Sequence, residues 1–363
     1  MDINPRNSGR RATLRQVASK LGVSPSTVSN AYNRPDQLSA GLRQRIFEVA
    51  AQLDYAGPDP TARSLRRRRA GAIGVIYADR LSYAFADPAA VMFLEGVSAA
   101  TEEAGLGLLL APGSPRETRD PEAVLGAVVD GFIVYCMPEE DPLVKAALSR
   151  QLPVVFVDQP QHEGLPSVGI DDEGAAWVAA EYLIGLGHRR FGIVSLELTG
   201  DPQGGIVDAS RQKSATFWPS RARLQGYTQA IAAARFSNSP PVYECLENTR
   251  AQGRSAAEAL LAQEPRPTAL LAMSDRAALG ALEAARQLGL SVPRDLSIIG
   301  FDDVPEARQA KPPLTTIRQP HVEKGLKAGK LLVGQLGGDR SSATKVLQTR
   351  LIVRGSTARV RGS

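Results

Sequence analysis

Residues 13–33 read TLRQVASKLGVSPSTVSNAYN, and they predict two short helices joined by a tight turn. Thr13 is placed to cap the first helix, and Gln16 stands where it would complete a capping box. Gly22 ends that helix, because glycine enters the left-handed conformation without a Cβ penalty. Ser24 is a favourable N-cap for the second helix. The stretch therefore indicates a compact helical pair.

The second helix of this pair has one apolar and one polar surface. Val28, with Ala31 or Tyr32 a turn later, faces back towards the first helix. The outward residues are small or polar and uncharged: Pro25, Ser26, Thr27, Ser29 and Asn30. The major groove of DNA accepts a helix of this kind. An ordinary helical hairpin is the alternative on these residues alone.

The composition is that of a globular protein with a separate basic head. Of 363 residues, 43% are hydrophobic and 22% are charged, and this length suffices for two or three domains. Residues 1–70 hold 13 Lys and Arg against 5 Asp and Glu, whereas the rest of the chain holds 30 against 33. The division indicates a polyanionic partner for the head alone.

Several features of the sequence predict a cytoplasmic protein without a membrane partner. No apolar run approaches the roughly 18 residues of a membrane span, and the polar N-terminus lacks a secretory signal. Cys136 and Cys245 belong to no CxxC pair, so we expect neither a disulfide framework nor a metal site.

A third amphipathic helix is expected over residues 40–53, with Ser39 as its cap. Residues 61–69 then hold five arginines, and Leu65 is their only large apolar residue. A helix this short and this basic would fold well only beside an anionic surface. A solvated basic linker is the alternative. The position before a large domain favours a conditional hinge helix.

From Gly71 onwards, apolar strands alternate with helices, up to a last strand expected over 345–353. The alternation predicts parallel sheets covered by helices, divided between two lobes because the segment is too long for one sheet. Ligands of such sheets bind beyond the carboxyl ends of the strands. The polar residues expected at those ends are Tyr77–Asp79, Tyr135, Asp158, Ser274–Asp275 and Asp302–Asp303.

Taken together, the motifs resemble the lactose-repressor/galactose-repressor (LacI/GalR) family of bacterial transcription regulators. The resemblance covers nearly the whole chain and depends on the order and spacing of several motifs. They are residues 13–33, then SLRRRRAGAIGV, LIGLGHRRFGIVS, RARLQGY, PTALLAMSDRAALGALEAARQLGLSVPRDLSIIGFDD and PPLTTIRQP. The resemblance implies an all-α helix-turn-helix headpiece plus an α/β two-lobed core like the periplasmic binding proteins.

The resemblance also implies domain boundaries. The expected domains are a headpiece over 1–57, a hinge helix over 58–70, and an effector-binding and dimerisation core over 71–363. Within the core, lobe one is expected at about 71–166 and 303–330, and lobe two at about 167–302 and 331–363.

The DNA contacts implied by the family divide into readers and positioners. Pro25, Ser26 and Asn30 correspond to major-groove readers, whereas Leu65 corresponds to a wedge that opens the minor groove. The whole set of expected DNA-binding residues is Thr13, Pro25, Ser26, Thr27, Ser29, Asn30, Asn33, Ala62, Leu65 and Arg66. Several relatives carry Arg or His where Asn30 stands. Because Asn suits pairing with adenine, we hypothesise an altered operator half-site.

For the effector, the resemblance implies that Arg223 of RLQGY and Asp302 of GFDD hydrogen-bond hydroxyls of a polar ligand across the cleft. The alternatives are a surface arginine and a turn-forming carboxylate. The expected effector-binding residues are Arg223, Asp302, Ser274, Asp158, Tyr135 and Asn248. Ser274 replaces the family's usual Asn, which argues against a standard sugar-binding mode. The long insertion 199–220 is a candidate lid, whose aromatic residues Phe217 and Trp218 either stack on a ligand ring or pack within the loop.

The sequence disfavours an enzyme. His162, His188 and His321 are far apart, and the chain contains neither HExxH, GxSxG nor a Walker motif. His188 is expected to end a helix and interact with its dipole. A secreted solute-binding protein is a second rival, against which the basic headpiece argues.

The expected function is therefore that of a ligand-responsive transcriptional regulator, most simply a repressor, without cofactors. Its partners are double-stranded operator DNA of palindromic sequence and a small polar effector. The C-terminal residues hold no leucine heptad, so we expect no tetramerising tail of the kind found in some relatives, and we expect a homodimer. As a DNA-binding protein, it is expected to associate with the nucleoid in the cytoplasm.

Overall fold

The computed structural model describes residues 12–57, 69–77, 81–111, 120–159, 162, 164–236 and 239–360. The chain falls into two compact units, which divide between Ala70 and Gly71. Residues 58–68 of the expected hinge helix, with Ala62, Leu65 and Arg66, lie outside the described residues, as does Asp79.

Three α-helices form the described part of the first unit, and each begins at its expected cap. They are α1 (Leu14–Leu21), α2 (Pro25–Asn33) and α3 (Ala40–Gln52). Thr13 and Gln16 form the reciprocal capping box, and Gly22 adopts a φ of 66° after α1. Ser24 and Ser39 accept backbone hydrogen bonds at the starts of α2 and α3. The predicted caps are confirmed.

A small core holds these helices together. Val17 of α1, Val28 of α2 and Ile46 of α3 are fully buried. The ring of Tyr32 meets that of Phe47 edge-on, with 5.0 Å between centroids. The predicted inward faces of the helical pair are confirmed, and α3 completes the core.

The second unit alternates strands and helices. Its strands are β1 (Ala72–Tyr77), β2 (Gly107–Ala111), β3 (Phe132–Tyr135), β4 (Val154–Val157), β5 (Ser167–Ile170), β6 (Phe191–Ser195), β7 (Gly205–Val207), β8 (Val242–Glu244), β9 (Ala269–Ala272), β10 (Ser297–Asp302), β11 (Thr315–Arg318), β12 (Thr344–Leu347) and β13 (Arg350–Ile352). Its helices are α4 (Leu81–Ala86), α5 (Pro88–Ala104), α6 (Glu122–Leu125), α7 (Pro142–Ser149), α8 (Asp172–Gly185), α9 (Ala209–Lys213), α10 (Trp218–Ala233), α11 (Arg250–Leu261), α12 (Asp275–Gln287), α13 (Pro305–Gln309) and α14 (His321–Leu336).

The described strands form two sheets, as the alternating pattern predicted. The first has the order β12-β5-β4-β3-β1-β2 and is parallel throughout. The second has the order β13-β11-β10-β9-β6-β8-β7, with antiparallel strands at its two edges. We call the part built on the first sheet lobe one and the part built on the second sheet lobe two.

The lobe boundaries expected from the sequence need correction. β5 pairs with β4 and β12 of lobe one, and β11 pairs with β10 and β13 of lobe two. The expected boundaries had put both strands in the opposite lobe. The strand expected over 345–353 is in fact two strands, β12 and β13, one in each sheet. A strand joins the sheet that satisfies its backbone hydrogen bonds, and local sequence does not specify that sheet.

Two glycines bring α5 and α14 into close contact within lobe one. A Cβ atom on Gly96 of α5 would lie 1.9 Å from the carbonyl oxygen of Val322, and one on Gly325 of α14 would lie 2.0 Å from that of Phe93. The two helices therefore pack backbone to backbone, which fixes the first turn of α14.

No helix in the described ranges is both long enough and apolar enough to cross a membrane.

Candidate functional site

The outward face of α2 is the candidate DNA-contacting surface of the first unit. Pro25 and Ser26 are exposed, and Asn30 lies one turn beyond Ser26. The Ser26 hydroxyl lies 2.6 Å from that of Ser24. The Asn30 side-chain amide donates to Oε1 of Gln37 at 3.3 Å. Gln37, in the short 3₁₀ turn after α2, thus orients a predicted reader, a role that the sequence reasoning missed.

The side chains predicted to position the headpiece on DNA make hydrogen bonds within the helical pair. The Thr13 hydroxyl accepts the Gln16 N–H in the capping box. Asn33 donates from its amide to the backbone oxygen of Ser29 at 2.9 Å. The Thr27 hydroxyl lies 2.8 Å from that of Ser24. Such local bonds hold these side chains at the surface of the helical pair.

A cavity of about 170 Å³ lies in the second unit, where the carboxyl ends of strands from both sheets meet. Each of the six residues expected to bind effector lines this cavity: Tyr135, Asp158, Arg223, Asn248, Ser274 and Asp302. Aromatic and apolar side chains complete the wall, among them Tyr77, Leu196 and Phe217. A mostly apolar cavity with a few convergent polar groups is typical of small-molecule sites.

Arg223 is buried and fixed in place by lobe two. Its Nε donates to Oδ1 of Asp172 at 2.8 Å, and its Nη1 donates to the backbone oxygen of Met273 at 2.6 Å. The guanidinium also lies 3.8 Å from the ring centroid of Phe301. A guanidinium carries five N–H donors, so these two bonds leave others for a ligand.

A buried network connects the cavity carboxylates of the two lobes. Lys324 of α14 is fully buried, and its Nζ donates to Oδ2 of Asp158 at 2.7 Å and to Oε1 of Gln319 at 2.8 Å. The Gln319 amide in turn donates to Oδ1 of Asp302 at 2.7 Å. Because Lys324 can only donate, it fixes the orientation of this amide. Sequence reasoning found the carboxylates but missed Lys324, for which no periodicity gave a signal.

A second chain of hydrogen bonds crosses the cavity between the lobes. Ser274 donates to Oδ1 of Asn248, whose amide donates to the Tyr83 hydroxyl at 3.2 Å. Tyr83 donates to Oδ2 of Asp87 at 2.6 Å. Burial raises the pKa of Asp87 and that of Tyr83. Ser274 and Asn248 belong to lobe two, whereas Tyr83 and Asp87 belong to lobe one.

Three residues that line the cavity have unusual backbone conformations. Cys136, Asp158 and Asp302 have φ values of 51°, 54° and 125°. Positive φ values are uncommon for residues other than glycine, and they cluster at functional sites.

Several buried polar atoms around the cavity have no hydrogen-bond partner among the residues that the structure describes. They are the Tyr77 hydroxyl, Oδ1 of Asp158 and both ring nitrogens of His321. Each of these residues lines the cavity. Buried polar atoms in proteins are nearly always paired, so these atoms mark places where a ligand can bind. In the sequence, His321 is notable only as a histidine without metal-binding spacing.

The insertion 199–220 is ordered against lobe two. β7 pairs with β8 and extends the sheet by an edge strand. Phe217 is buried and lines the cavity. Trp218 begins α10, with the guanidinium of Arg221 4.9 Å from its ring centroid. The two aromatic residues therefore have different environments, and only Phe217 faces the cavity.

Comparison with protein families matches both units of the chain. The family model of bacterial regulatory proteins of the lacI family matches residues 13–57. The model of the periplasmic binding protein-like domain matches residues 180–357.

Whole proteins with similar sequences are transcriptional regulators by name. The chain is 47% identical to the HTH-type transcriptional regulator Rv3575c of Mycobacterium tuberculosis, over 96% of this chain and 97% of the relative. It is 32% identical to the HTH-type transcriptional repressor CytR of Escherichia coli (strain K12), over 95% of this chain and 96% of the relative.

Solved structures extend the similarity to the fold. A LacI family transcriptional regulator from Corynebacterium glutamicum is 36% identical with a TM-score of 0.73, covering 98% of this chain and 100% of that chain. The complex of the transcriptional regulator CelR with cellobiose is 29% identical with a TM-score of 0.69, covering 95% of this chain and 100% of that chain.

Proposed function

This chain belongs to the LacI family of bacterial transcription regulators, and we propose that it is a ligand-responsive repressor. In this proposal it binds a partly palindromic operator as a homodimer, in the cytoplasm at the nucleoid. A small, polar, sugar-like effector occupies the cavity between the two lobes of each core. The role is one of binding, without catalysis or a cofactor.

The first unit supports the DNA-binding part of the proposal. Its 13 basic residues against 5 acidic ones suit a polyanion, and the exposed face of α2 carries hydrogen-bonding groups without charge. Ser26 and Asn30 read bases, while Thr13, Thr27, Ser29 and Asn33 position the headpiece on the backbone. Pro25, Ala62, Leu65 and Arg66 complete the proposed contacts, with Leu65 as the minor-groove wedge.

The orphaned polar atoms around the cavity are the observation that carries the effector site. Tyr77, Asp158 and His321 each present a buried polar atom without a hydrogen bond among the described residues. Nε2 of His321 lies 3.6 Å from Oδ1 of Asp302, beyond hydrogen-bond distance. A ligand with several hydroxyl groups would offer hydrogen-bond partners to these atoms. Arg223 and Asp302 add a cation and a carboxylate to the same wall.

Regulation follows from the position of the cavity between the lobes. The bonds from Asn248 to Tyr83 and from Lys324 to Gln319 join residues of different lobes, so they depend on how the lobes are arranged. An effector changes operator affinity only through its differential affinity for two such arrangements.

A thermal-shift screen of the purified protein against sugars, sugar phosphates, nucleosides and other small metabolites tests the effector site. We expect at least one polyhydroxylated compound to raise the melting temperature, because binding to the native state stabilises it by mass action. That compound should also change the affinity for operator DNA in a fluorescence-anisotropy titration.

The two readouts separate the parts of the proposal. Operator binding without any hit would contradict the effector site and favour a constitutive regulator. A hit that leaves operator affinity unchanged would contradict ligand-responsive regulation while supporting the cavity.

A further inference from the structure

One segment of lobe two, which we call the strap (residues 198–217), begins and ends at the cavity wall. Leu196 precedes it, Phe217 is its last residue, and both line the cavity. Its two ends are joined by backbone hydrogen bonds, because Leu198 O accepts from the N–H groups of Thr216 at 2.7 Å and Phe217 at 3.2 Å. The position of Phe217 therefore depends on that of Leu198.

Leu198 is in turn held by Glu244, at the end of β8. The Glu244 side chain is fully buried, and its Oε1 accepts the Leu198 N–H at 2.7 Å. Arg211 of α9 binds both oxygens of the same carboxylate, with Nε 2.8 Å from Oε2 and Nη2 3.0 Å from Oε1. Such bidentate, charge-assisted pairs are among the strongest side-chain contacts.

Arg211 also forms hydrogen bonds with two other residues of the strap. Its Nη1 donates to Oδ2 of Asp201 at 2.5 Å, and its Nη2 donates to the backbone oxygen of Gln203 at 3.1 Å. The hydrogen bond from Arg211 lowers the pKa of Asp201 to about 2. One side chain of the strap thus binds two other strap residues and the buried Glu244.

We propose that Arg211 is a positioning residue for the ligand cavity. Through Glu244 and Leu198 it fixes the backbone of Phe217, and with it one aromatic wall of the cavity. Without Arg211, the buried carboxyl of Glu244 loses its bidentate partner, and leaving a buried polar group without its partner is destabilising. The backbone hydrogen bonds from Thr216 and Phe217 to Leu198 then weaken, and Phe217 moves away from the cavity. This inference concerns the wall itself and holds whatever the effector is.

Cys136 provides a reporter inside the cavity that requires no ligand. Its side chain is half-buried and lines the cavity. Burial raises the pKa of this thiol to about 12, so its reaction with N-ethylmaleimide is slow. The labelling rate of Cys136 in the full-length protein, followed by site-resolved mass spectrometry, then reports how readily the reagent enters the cavity that Cys136 and Phe217 both line.

The test compares Arg211→Met with Lys213→Met, which removes the same charge from an exposed position of the same helix. We expect Cys136 to react at least about tenfold faster in Arg211→Met, because losing a buried ion pair favours local opening. Lys213→Met should keep the wild-type rate. Arg211→Lys should fall between them, since lysine keeps the charge but lacks the bidentate fork.

A Cys136 rate in Arg211→Met equal to that of the wild type would overturn the proposal, as would an equal rise in Lys213→Met. An accelerated rate that climbs steeply with low urea concentrations would also overturn it, because it reports global unfolding. Should Arg211→Met fail to fold, Glu244→Gln and Arg211→Lys carry the same comparison.

Discussion

Arg223 and Asp172 form a buried ion pair behind the cavity wall, with 2.8 Å between Nε and Oδ1. Arg223 is 5% exposed and Asp172 is 3% exposed, so solvent screens this pair little. The pair joins α10 to α8 within lobe two, and it fixes the guanidinium before any ligand arrives. Arg223 is therefore both a proposed ligand contact and part of the core.

Replacing Arg223 should destabilise the protein as well as remove a ligand contact. In Arg223→Met, Asp172 is left buried and unpaired, so we expect the free energy of unfolding to fall by about 3–5 kcal/mol. Urea denaturation measures the change. The double variant Arg223→Met/Asp172→Asn should recover part of the loss, and a single variant as stable as the wild type would refute the pairing.

For Tyr77, unlike Arg223, we expect that removing the polar group affects ligand binding without lowering the free energy of unfolding. Because this buried hydroxyl has no partner among the described residues, Tyr77→Phe should leave the free energy of unfolding unchanged or raise it by up to about 1 kcal/mol. The same variant should reduce the melting-temperature shift caused by the best compound of the screen. A clear loss of stability without ligand would show that the hydroxyl is already paired.

Asn30 is expected to choose a base in the operator. Asn30→Arg should shift the preferred half-site from adenine towards guanine at one position, because arginine pairs bidentately with guanine. A binding-site selection with random duplexes measures this preference. An unchanged consensus would exclude Asn30 as a reader. Gln37→Ala, which frees the Asn30 amide, should weaken the preference without redirecting it.

Removing residues 1–70 should separate the two activities. The remaining core is a compact unit of its own, so we expect residues 71–363 to keep ligand binding and the dimeric state in sedimentation. Operator binding should be lost. In the full-length protein, operator affinity should fall steeply with salt, by about 0.9 in log–log slope for each phosphate neutralised. Specific operator binding by the truncated protein would overturn the assignment of the headpiece.

His188 should make stability depend on pH. Its ring nitrogens lie 3.0 Å from Thr268 Oγ1 and 3.0 Å from Ser297 Oγ, in a bridge within lobe two. Its backbone N–H donates to the Leu183 oxygen near the end of α8, and the helix-dipole interaction expected from the sequence stays a prediction. Burial lowers the pKa of His188 below its usual 6.5. The unfolded chain therefore binds the proton more readily, and stability present above about pH 6.5 is lost as the pH falls.

The variant His188→Gln isolates this contribution. At pH 7.5 it should cost about 1–3 kcal/mol, because the partners of the ring lose their hydrogen bonds. Between pH 7 and 5 its free energy of unfolding should decline less than that of the wild type. Urea denaturation at several pH values compares the two proteins, and parallel curves would rule out this role.

Sequence reasoning worked best where the cause of structure is local. The caps at Thr13, Ser24 and Ser39 depend on residues three positions away, and each appears as predicted. Strand ends were also predictable, because an apolar run that stops at a polar residue marks the carboxyl edge of a parallel sheet. Asp158 and Ser274 were found in this way.

It failed where a residue's role depends on a distant partner. The residues of β5 and β11 do not indicate which sheet each strand joins. Sheet membership depends on which strand edge is available where the chain crosses between the lobes. In the sequence, Lys324 resembles any other polar residue of an amphipathic helix. In the structure, it is buried and donates a hydrogen bond to Asp158, 166 positions away.

The sequence by itself therefore determined the helical headpiece, the alternating core and the residues at the strand ends, because short-range spacing governs all three. Only the tertiary structure decided which strands share a sheet, that Arg223 pairs with Asp172, and that Tyr77 and His321 keep orphaned polar atoms at the cavity. The physical reason is that these relationships depend on where distant segments meet and on what their burial leaves unpaired.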